Sequence, residues 1–262
     1  MQYFIFLSCL SFLSTCNQDK KLAELYNITD VQTALDTLQR YEKFDKVFFK
    51  NENIAVFKDK ISEFEIAVVV SEKQLCIFEK KDDGPWHLDK RALTTDYAEV
   101  PDKIELLDLN GDNYKDLKMT HYEGAYGFSY PKVYLFQAKD STFKHNPNFD
   151  LSEISYDAQT NLAHTHAYVP HIKEKNTYKI VADSLQLLEQ LLCYQGDYID
   201  DEEAIYLKTK YPSGSRNYVF HFKMKNDKKQ IYKVIEDKSD TTNEASDYFY
   251  KTLWKTNFFN GY

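Results

Sequence analysis

The stretch KIELLDLNGDNYKDLKMTHY, Lys103–Tyr122, is an apolar run, a polar turn and a second apolar run. Lys103–Leu109 and Asp116–Tyr122 read as strands, short and bounded by the turn residues Asn, Gly and Asp. Within the turn, Asp108, Asn110, Asp112 and Asp116 stand at relative positions 1, 3, 5 and 9, with the carbonyl of Tyr114 at position 7. Oxygen donors at that spacing can converge on one Ca²⁺, which takes six to eight hard oxygens. Gly111, between the second and third side-chain ligands, permits the bend. The loop is not an EF-hand: Met119 stands at position 12 in place of the bidentate Glu, and Gly111 is fourth rather than sixth.

Strand-like runs recur on both sides of it. KVFFK, NIAVFK, EFEIAVVV, KQLCIFEK and WHLDK precede it; PKVYLFQAK, STFKH, LAHTHAYV, TYKIVA, LLEQLLCYQ, EAIYLKTKY, NYVFHFKMK and QIYKVIE follow. The chain carries 21 Tyr and 18 Phe against 7 Gly and 6 Pro, and flat rings suit a pleated, half-buried surface. The expectation is an all-β architecture, a propeller or another large antiparallel assembly. Ile28–Phe44 adds a helix, with Val31, Leu35, Leu38 and Tyr41 at helical spacing and Thr29 or Asp30 as cap. Glu244–Phe259 is either a closing helix or an aromatic strand pair. No Pro/Gly/Ser linker breaks the middle, so 28–262 is expected to form a single β-rich domain.

The strand–loop–strand setting of Asp108–Asp116 resembles the DxDGDGxxDL loop of FG-GAP and VCBS repeats, found in integrin-like β-propellers. The likeness extends weakly through Gly124-Ala125-Tyr126-Gly127 and the strands beyond, covering roughly Lys103 to Val169. Over that span the chain is similar to bacterial periplasmic calcium-binding proteins of propeller type, some of which inhibit lysozyme-like enzymes. The resemblance implies a non-enzymatic Ca²⁺ protein of the cell envelope.

The N-terminus carries an address. Tyr3–Leu13 is apolar, too short for a membrane anchor at about 20 residues and of a length that suits a secretory signal. Its end, Leu13-Ser14-Thr15-Cys16, resembles a bacterial lipoprotein signal, which implies that residues 1–16 direct export, that Cys16 carries the lipid and that 17–27 form a tether. Thr15 is bulkier than the usual residue before the Cys, and no Lys or Arg precedes the apolar run. The expected location is the periplasm or outer membrane, held by the lipid.

The net charge is −8, and no charged side chain lies in the first sixteen residues. That balance argues against a general nucleic-acid binder and against a cationic membrane-surface protein. Cys76 and Cys193 lie in apolar runs and read as two buried thiols, with a disulfide as the alternative. His164 and His166 share a strand face, but zinc would need a third ligand, so they read as core or surface histidines. No nucleophile elbow, phosphate loop or HExxH motif occurs, and no catalytic residue is assigned. Asp82-Asp83 and Asp200-Asp201-Glu202-Glu203 read as solvated loops rather than a glycosidase pair. Tyr122, Tyr126, Phe128 and Tyr130 could receive a partner or a sugar. The expected function is a binding or inhibitory module with an envelope protein or glycan as partner, its most concrete form an inhibitor of a peptidoglycan-cleaving enzyme. A glycan-binding or glycan-hydrolysing lipoprotein and a structural envelope protein are the alternatives.

Overall fold

A computed structural model describes residues 31–40, 46–61, 64–71, 74–81, 84–88, 100–123, 128–139, 142–169, 171–194, 209, 217–237 and 244–252. The chain divides into two compact units, Met1–Leu106 and Leu107–Tyr262, where the sequence reading treats 28–262 as one domain.

In the first unit, α1 (Val31–Arg40) lies inside the expected helix. Val31, Ala34, Leu35 and Leu38 recur at helical spacing and pack on the sheet core of Phe49, Ile54, Val56, Ala67, Val69, Cys76 and Phe78. That sheet is an antiparallel meander of β1 (Val47–Lys50), β2 (Ile54–Ile61), β3 (Phe64–Ser71), β4 (Gln74–Lys81) and β5 (His87–Leu88), paired in chain order. In β3, Ile66 through Val70 are all buried. The in-and-out alternation of a one-sided strand is therefore absent, and both faces of this central strand are covered.

The remaining strands are β6 (Lys103–Leu107), β7 (Asp116–Glu123), β8 (Phe128–Gln137), β9 (Thr142–His145), β10 (Ser155–Asp157), β11 (Leu162–Val169), β12 (Ile172–Val181), β13 (Ser184–Tyr194), β14 (Tyr218–Lys225) and β15 (Lys228–Glu236). They form a four-stranded sheet in the order β6-β7-β8-β9 and a six-stranded sheet in the order β10-β11-β12-β13-β14-β15. Every strand pair registered between them is antiparallel. The mostly-β class with an N-terminal and a short C-terminal helix is therefore as expected, while no closed propeller is found among the described residues.

Two cores hold the second unit's larger sheet. On one face Leu192, Tyr194, Tyr218, Phe220 and Phe222 cluster, with the Tyr194 and Phe220 rings edge to face at 5.6 Å. On the other, α2 (Glu244–Lys251) lays Ala245 and Phe249 on Leu191, Cys193 and Val219. The Asp237 carboxylate accepts the Ala245 N–H at 2.8 Å, satisfying a first-turn donor of α2. A third cluster joins the two sheets of this unit: Leu109, Val133, Leu135, Phe149 and Ile154 pack with Ile180 and Leu185 from the β12–β13 hairpin. Cys76 and Cys193 are buried free thiols, and burial pushes both upward, Cys193 to about 11.

Candidate calcium loop

The loop between β6 and β7 is wound around its own side chains. Asp108 takes the Gly111 N–H on Oδ1 (2.7 Å) and the Asn113 N–H on Oδ2 (3.1 Å). Asn110 Oδ1 takes the Asp112 N–H, and Asp112 Oδ1 takes the Tyr114 N–H at 2.8 Å. These are turns in which a short side chain replaces a backbone acceptor, the reason Asp and Asn are favoured here. Gly111 and Asn113 both lie in the left-handed region, at φ 80° and 68°. Glycine meets that demand without a Cβ penalty, and asparagine tolerates it better than most residues.

Asp116 differs from the other carboxylates. It opens β7 and is completely buried, with Oδ2 accepting the Leu109 N–H and Oδ1 the Phe136 N–H, each at 2.9 Å. Burial pushes its pKa up to about 7, the two backbone N–H groups pull it down, and the charges of Asp112 and Asp108 raise it further. Asp116 therefore pins the start of the loop and β8 together while sharing an electrostatic field with Asp108 and Asp112.

A residue that the sequence reading does not single out completes this region. Asp183, in the tight turn between β12 and β13, accepts the Asn110 Nδ2 at 3.1 Å, and the same amide donates to Asp112 Oδ2 at 3.0 Å. The Asp183 carbonyl accepts from Asn146 Nδ2 at 2.8 Å. Ala182 and Asp183 both have positive φ, 48° and 56°, the geometry of the two-residue turn that matches strand twist. No Gly marks that turn; its signal is the Ala-Asp pair between two β-rich runs. Beside it opens a cleft of about 340 Å³ lined by Leu135, Gln137, Lys144, Asn146, Ala182 and Asp183, among others.

The ligand set expected from spacing is thus Asp108, Asn110, Asp112, the Tyr114 carbonyl and Asp116, an all-oxygen set suited to a hard cation. Among the described residues, no three His, Cys, Asp or Glu side chains are gathered as a metal cluster, the carboxylates here being turned onto backbone N–H groups. Each carboxylate oxygen keeps a second lone pair beside its N–H contact, so the donor chemistry fits Ca²⁺ while the present arrangement spends its first contacts on the loop itself.

The other expected features fall as follows. His164 is buried and reaches Thr177 Oγ1 at 3.3 Å; His166 is half-buried near Phe249. Burial lowers the pKa of both, His166 to about 4 with Lys175 and Lys173 adding to the effect. Tyr122 and Tyr130 are exposed, whereas Phe128 is partly covered. Cys16, Tyr126, Asp82-Asp83, Asp200–Glu203 and Gly124–Gly127 lie outside the described residues. No helix among the described residues is long and apolar enough to cross a membrane.

No family model matches the chain, and no curated protein matches it. It is similar to a solved structure of a Xanthomonas type IV secretion system related protein, with a TM-score of 0.41 and 16% identity over 72% of this chain and 93% of that one. A likeness of that size leaves function to be read from the residues themselves.

Proposed function

We propose that this protein is a non-enzymatic, Ca²⁺-stabilised binding module of the bacterial cell envelope, tethered by a lipid on Cys16. The observation that carries the reading is the Asp108–Asp116 turn, in which a fully buried carboxylate, Asp116, shares the field of Asp108 and Asp112. Three carboxylates in nine residues repel one another, and a divalent cation would offset that repulsion. Ca²⁺ tolerates the irregular geometry of a wrapping loop, whereas Mg²⁺ demands near-octahedral placement. In this reading the ion's ligands are Asp108, Asn110, Asp112, the Tyr114 carbonyl and Asp116, and its role is structural. The partner is an envelope protein; the resemblance to lysozyme-inhibiting propeller proteins supports a peptidoglycan-cleaving enzyme as the specific form.

The test is thermal unfolding in Ca²⁺, Mg²⁺ or chelator, on wild type and Asp112→Ala. An ion bound to the native state alone adds about 2.7 kcal/mol at a hundredfold excess over Kd. That raises the melting temperature on the order of 5 °C. Ca²⁺ should produce the shift, Mg²⁺ little of it, and Asp112→Ala should lose most of it. Equal melting in Ca²⁺ and chelator removes the ion from the account. Mass spectrometry of the membrane fraction checks the anchor: an intact Met1 would exclude the lipid at Cys16.

The cleft at Gln137, Lys144 and Asn146 favours a second reading, a glycan-binding lipoprotein, because ammonium and amide groups there line a concave surface. Chemical-shift changes at Gln137 and Lys144 on adding peptidoglycan fragments would support it over the protein-partner reading.

A further inference from the structure

The outer edge of the six-stranded sheet carries a charge opposite to that of the chain. From Lys223 to Lys233 the sequence KMKNDKKQIYK holds five lysines and one aspartate, a local +4 within a chain of −8. These residues form the β14–β15 hairpin, turned at Asn226 and Asp227, both with positive φ. Among the described residues β15 ends the strand order β10-β11-β12-β13-β14-β15, and Lys228 through Lys233 are all exposed.

Solvent reaches both faces of this edge. Ile231 is 42% exposed and Tyr232 61%, the highest value among the exposed large apolar residues described. Aromatic rings on the hairpin and on α2 order the lysines without burying their charge. Lys223 lies 4.1 Å over the Tyr232 ring, Lys229 4.2 Å over Phe222 and Lys233 4.6 Å over Tyr248. Glu189 engages Lys223 at 3.1 Å, while the outer strand itself carries Lys228, Lys229 and Lys233 and no carboxylate before Glu236.

We infer that β15 is a docking edge for an acidic, extended segment of a partner protein, added to the sheet as a further antiparallel or parallel strand. A sheet edge offers main-chain donors and acceptors along its length, and side chains at alternate positions select the guest. A second copy of this chain is disfavoured, because pairing β15 with β15 sets lysines against lysines; edge lysines commonly serve to prevent such self-pairing. A glutamate-rich guest turns the same lysines into attractive contacts, while Ile231 and Tyr232 supply apolar area on opposite sides of the strand. The register slip between His221 and Phe222 leaves Tyr232 as the extra residue of a bulge. It therefore limits the main-chain ladder chiefly to Lys228–Ile231. The inference uses none of the residues of the Asp108–Asp116 loop and holds whether or not that loop takes Ca²⁺.

The experiment uses the full chain and the peptide EVEETEVE, with KVKKTKVK as its charge-reversed control. Binding is followed by fluorescence anisotropy and by amide hydrogen exchange. The acidic peptide should bind at least tenfold more tightly than the control and slow exchange at Lys228–Ile231. Lys228→Glu with Lys229→Glu, two exposed positions, should weaken it at least tenfold. A version of the acidic peptide N-methylated at alternate residues keeps its charge but loses main-chain donors, and should also bind at least tenfold more weakly. Equal binding of the two peptides, full binding of the N-methylated one, or protection confined to other strands overturns the proposal. Binding to phosphatidylglycerol vesicles without binding of EVEETEVE does so as well, by making the edge a lipid-facing surface.

Discussion

The ring of Tyr156 occupies the space where a side chain at position 111 would stand: a Cβ on Gly111 would lie 2.6 Å from the ring's Cζ and hydroxyl. Gly111 is thus required twice, once by its φ of 80° and once by a residue of β10 that closes over the turn. Tyr156 is itself held by a hydrogen bond from its hydroxyl to Asn161 Oδ1 at 3.0 Å.

Gly111→Ala should therefore destabilise the second unit by two separable amounts. The left-handed conformation costs a residue with a Cβ about 1–2 kcal/mol. Displacing the Tyr156 ring adds the loss of its hydrogen bond and packing, about 1 kcal/mol. Combining Gly111→Ala with Tyr156→Ala should recover only the second part, so the pair couples in a double-mutant cycle of chemical denaturation. Strict additivity would mean that the ring yields freely.

Asp116 and Asp112 should separate structure from ion binding. Asp116→Ala leaves the N–H groups of Leu109 and Phe136 without their acceptor, at about 1–3 kcal/mol for each buried donor. Asp116→Asn keeps one acceptor and presents an amide donor to the other N–H, so it should be damaging too. Both losses should appear in chelator as well as in Ca²⁺. Asp112 is exposed, and Asp112→Ala should cost most of its stability only when Ca²⁺ is present. Urea midpoints for the variants in the two conditions make the comparison.

What can be read from the sequence divides along physical lines. β2, β3 and β4 announce themselves through β-branched and aromatic runs, and α1 through Val31, Leu35 and Leu38, because burial imposes those patterns directly. β10 leaves no such mark: Ser155-Tyr156-Asp157 is three residues long and polar, and it is a strand only because β11 pairs with it. Asp108–Asp116 is legible as a polar turn between two strands, since its Asp, Asn and Gly residues are local to it. Its contacts with Asp183, Tyr156 and Phe136 join positions 20 to 73 residues apart in the pairs that are hydrogen-bonded, and no local pattern encodes them. The division into two units leaves no linker-like composition to find.

Acid should weaken the second unit through its histidines. Burial is the first cause of the lowered pKa of His164, His166 and His221, and His166 falls to about 4. An unfolded histidine titrates near 6.5. As pH falls from about 6.5 towards 4, the unfolded chain takes up histidine protons that the folded form resists, so the histidines' contribution to stability drops across that window. For His166, the ammonium groups of Lys175 and Lys173 reinforce burial; for His221, Glu189 opposes it while Lys223 and Lys233 assist. Carboxylates titrate in the same range, Asp116 from about 7 and with the opposite sign because its folded pKa is raised, so the informative quantity is wild type minus His166→Gln. That difference should shrink steadily below about pH 6.5 if His166 contributes, and stay flat if it does not.

Lys175 should act at the opposite end of the pH scale. Its side chain is fully buried, donates from Nζ to the Phe249 carbonyl at 2.9 Å, and lies 5.0 Å from the Phe249 ring centroid. That carbonyl belongs to the last turn of α2, so the ammonium sits at the negative end of the helix. Burial nevertheless lowers its pKa to about 8, which means that the charge costs more than that contact returns. Below about pH 8 both folded and unfolded chains hold the proton, and the full cost is present. Between about 8 and 10.5 the folded form releases it first, the unfolded chain binds more protons, and stability rises with pH. A displacement of this size corresponds to about 3 kcal/mol across the window. Lys175→Met has no proton to lose, and its flexible chain fills much of the same volume. Denaturation curves at pH 7.5, 9 and 10.5, conditions chosen as roughly spanning the window, should therefore show wild type gaining on Lys175→Met as pH rises. Parallel curves would mean that water or a shifted carbonyl solvates the ammonium.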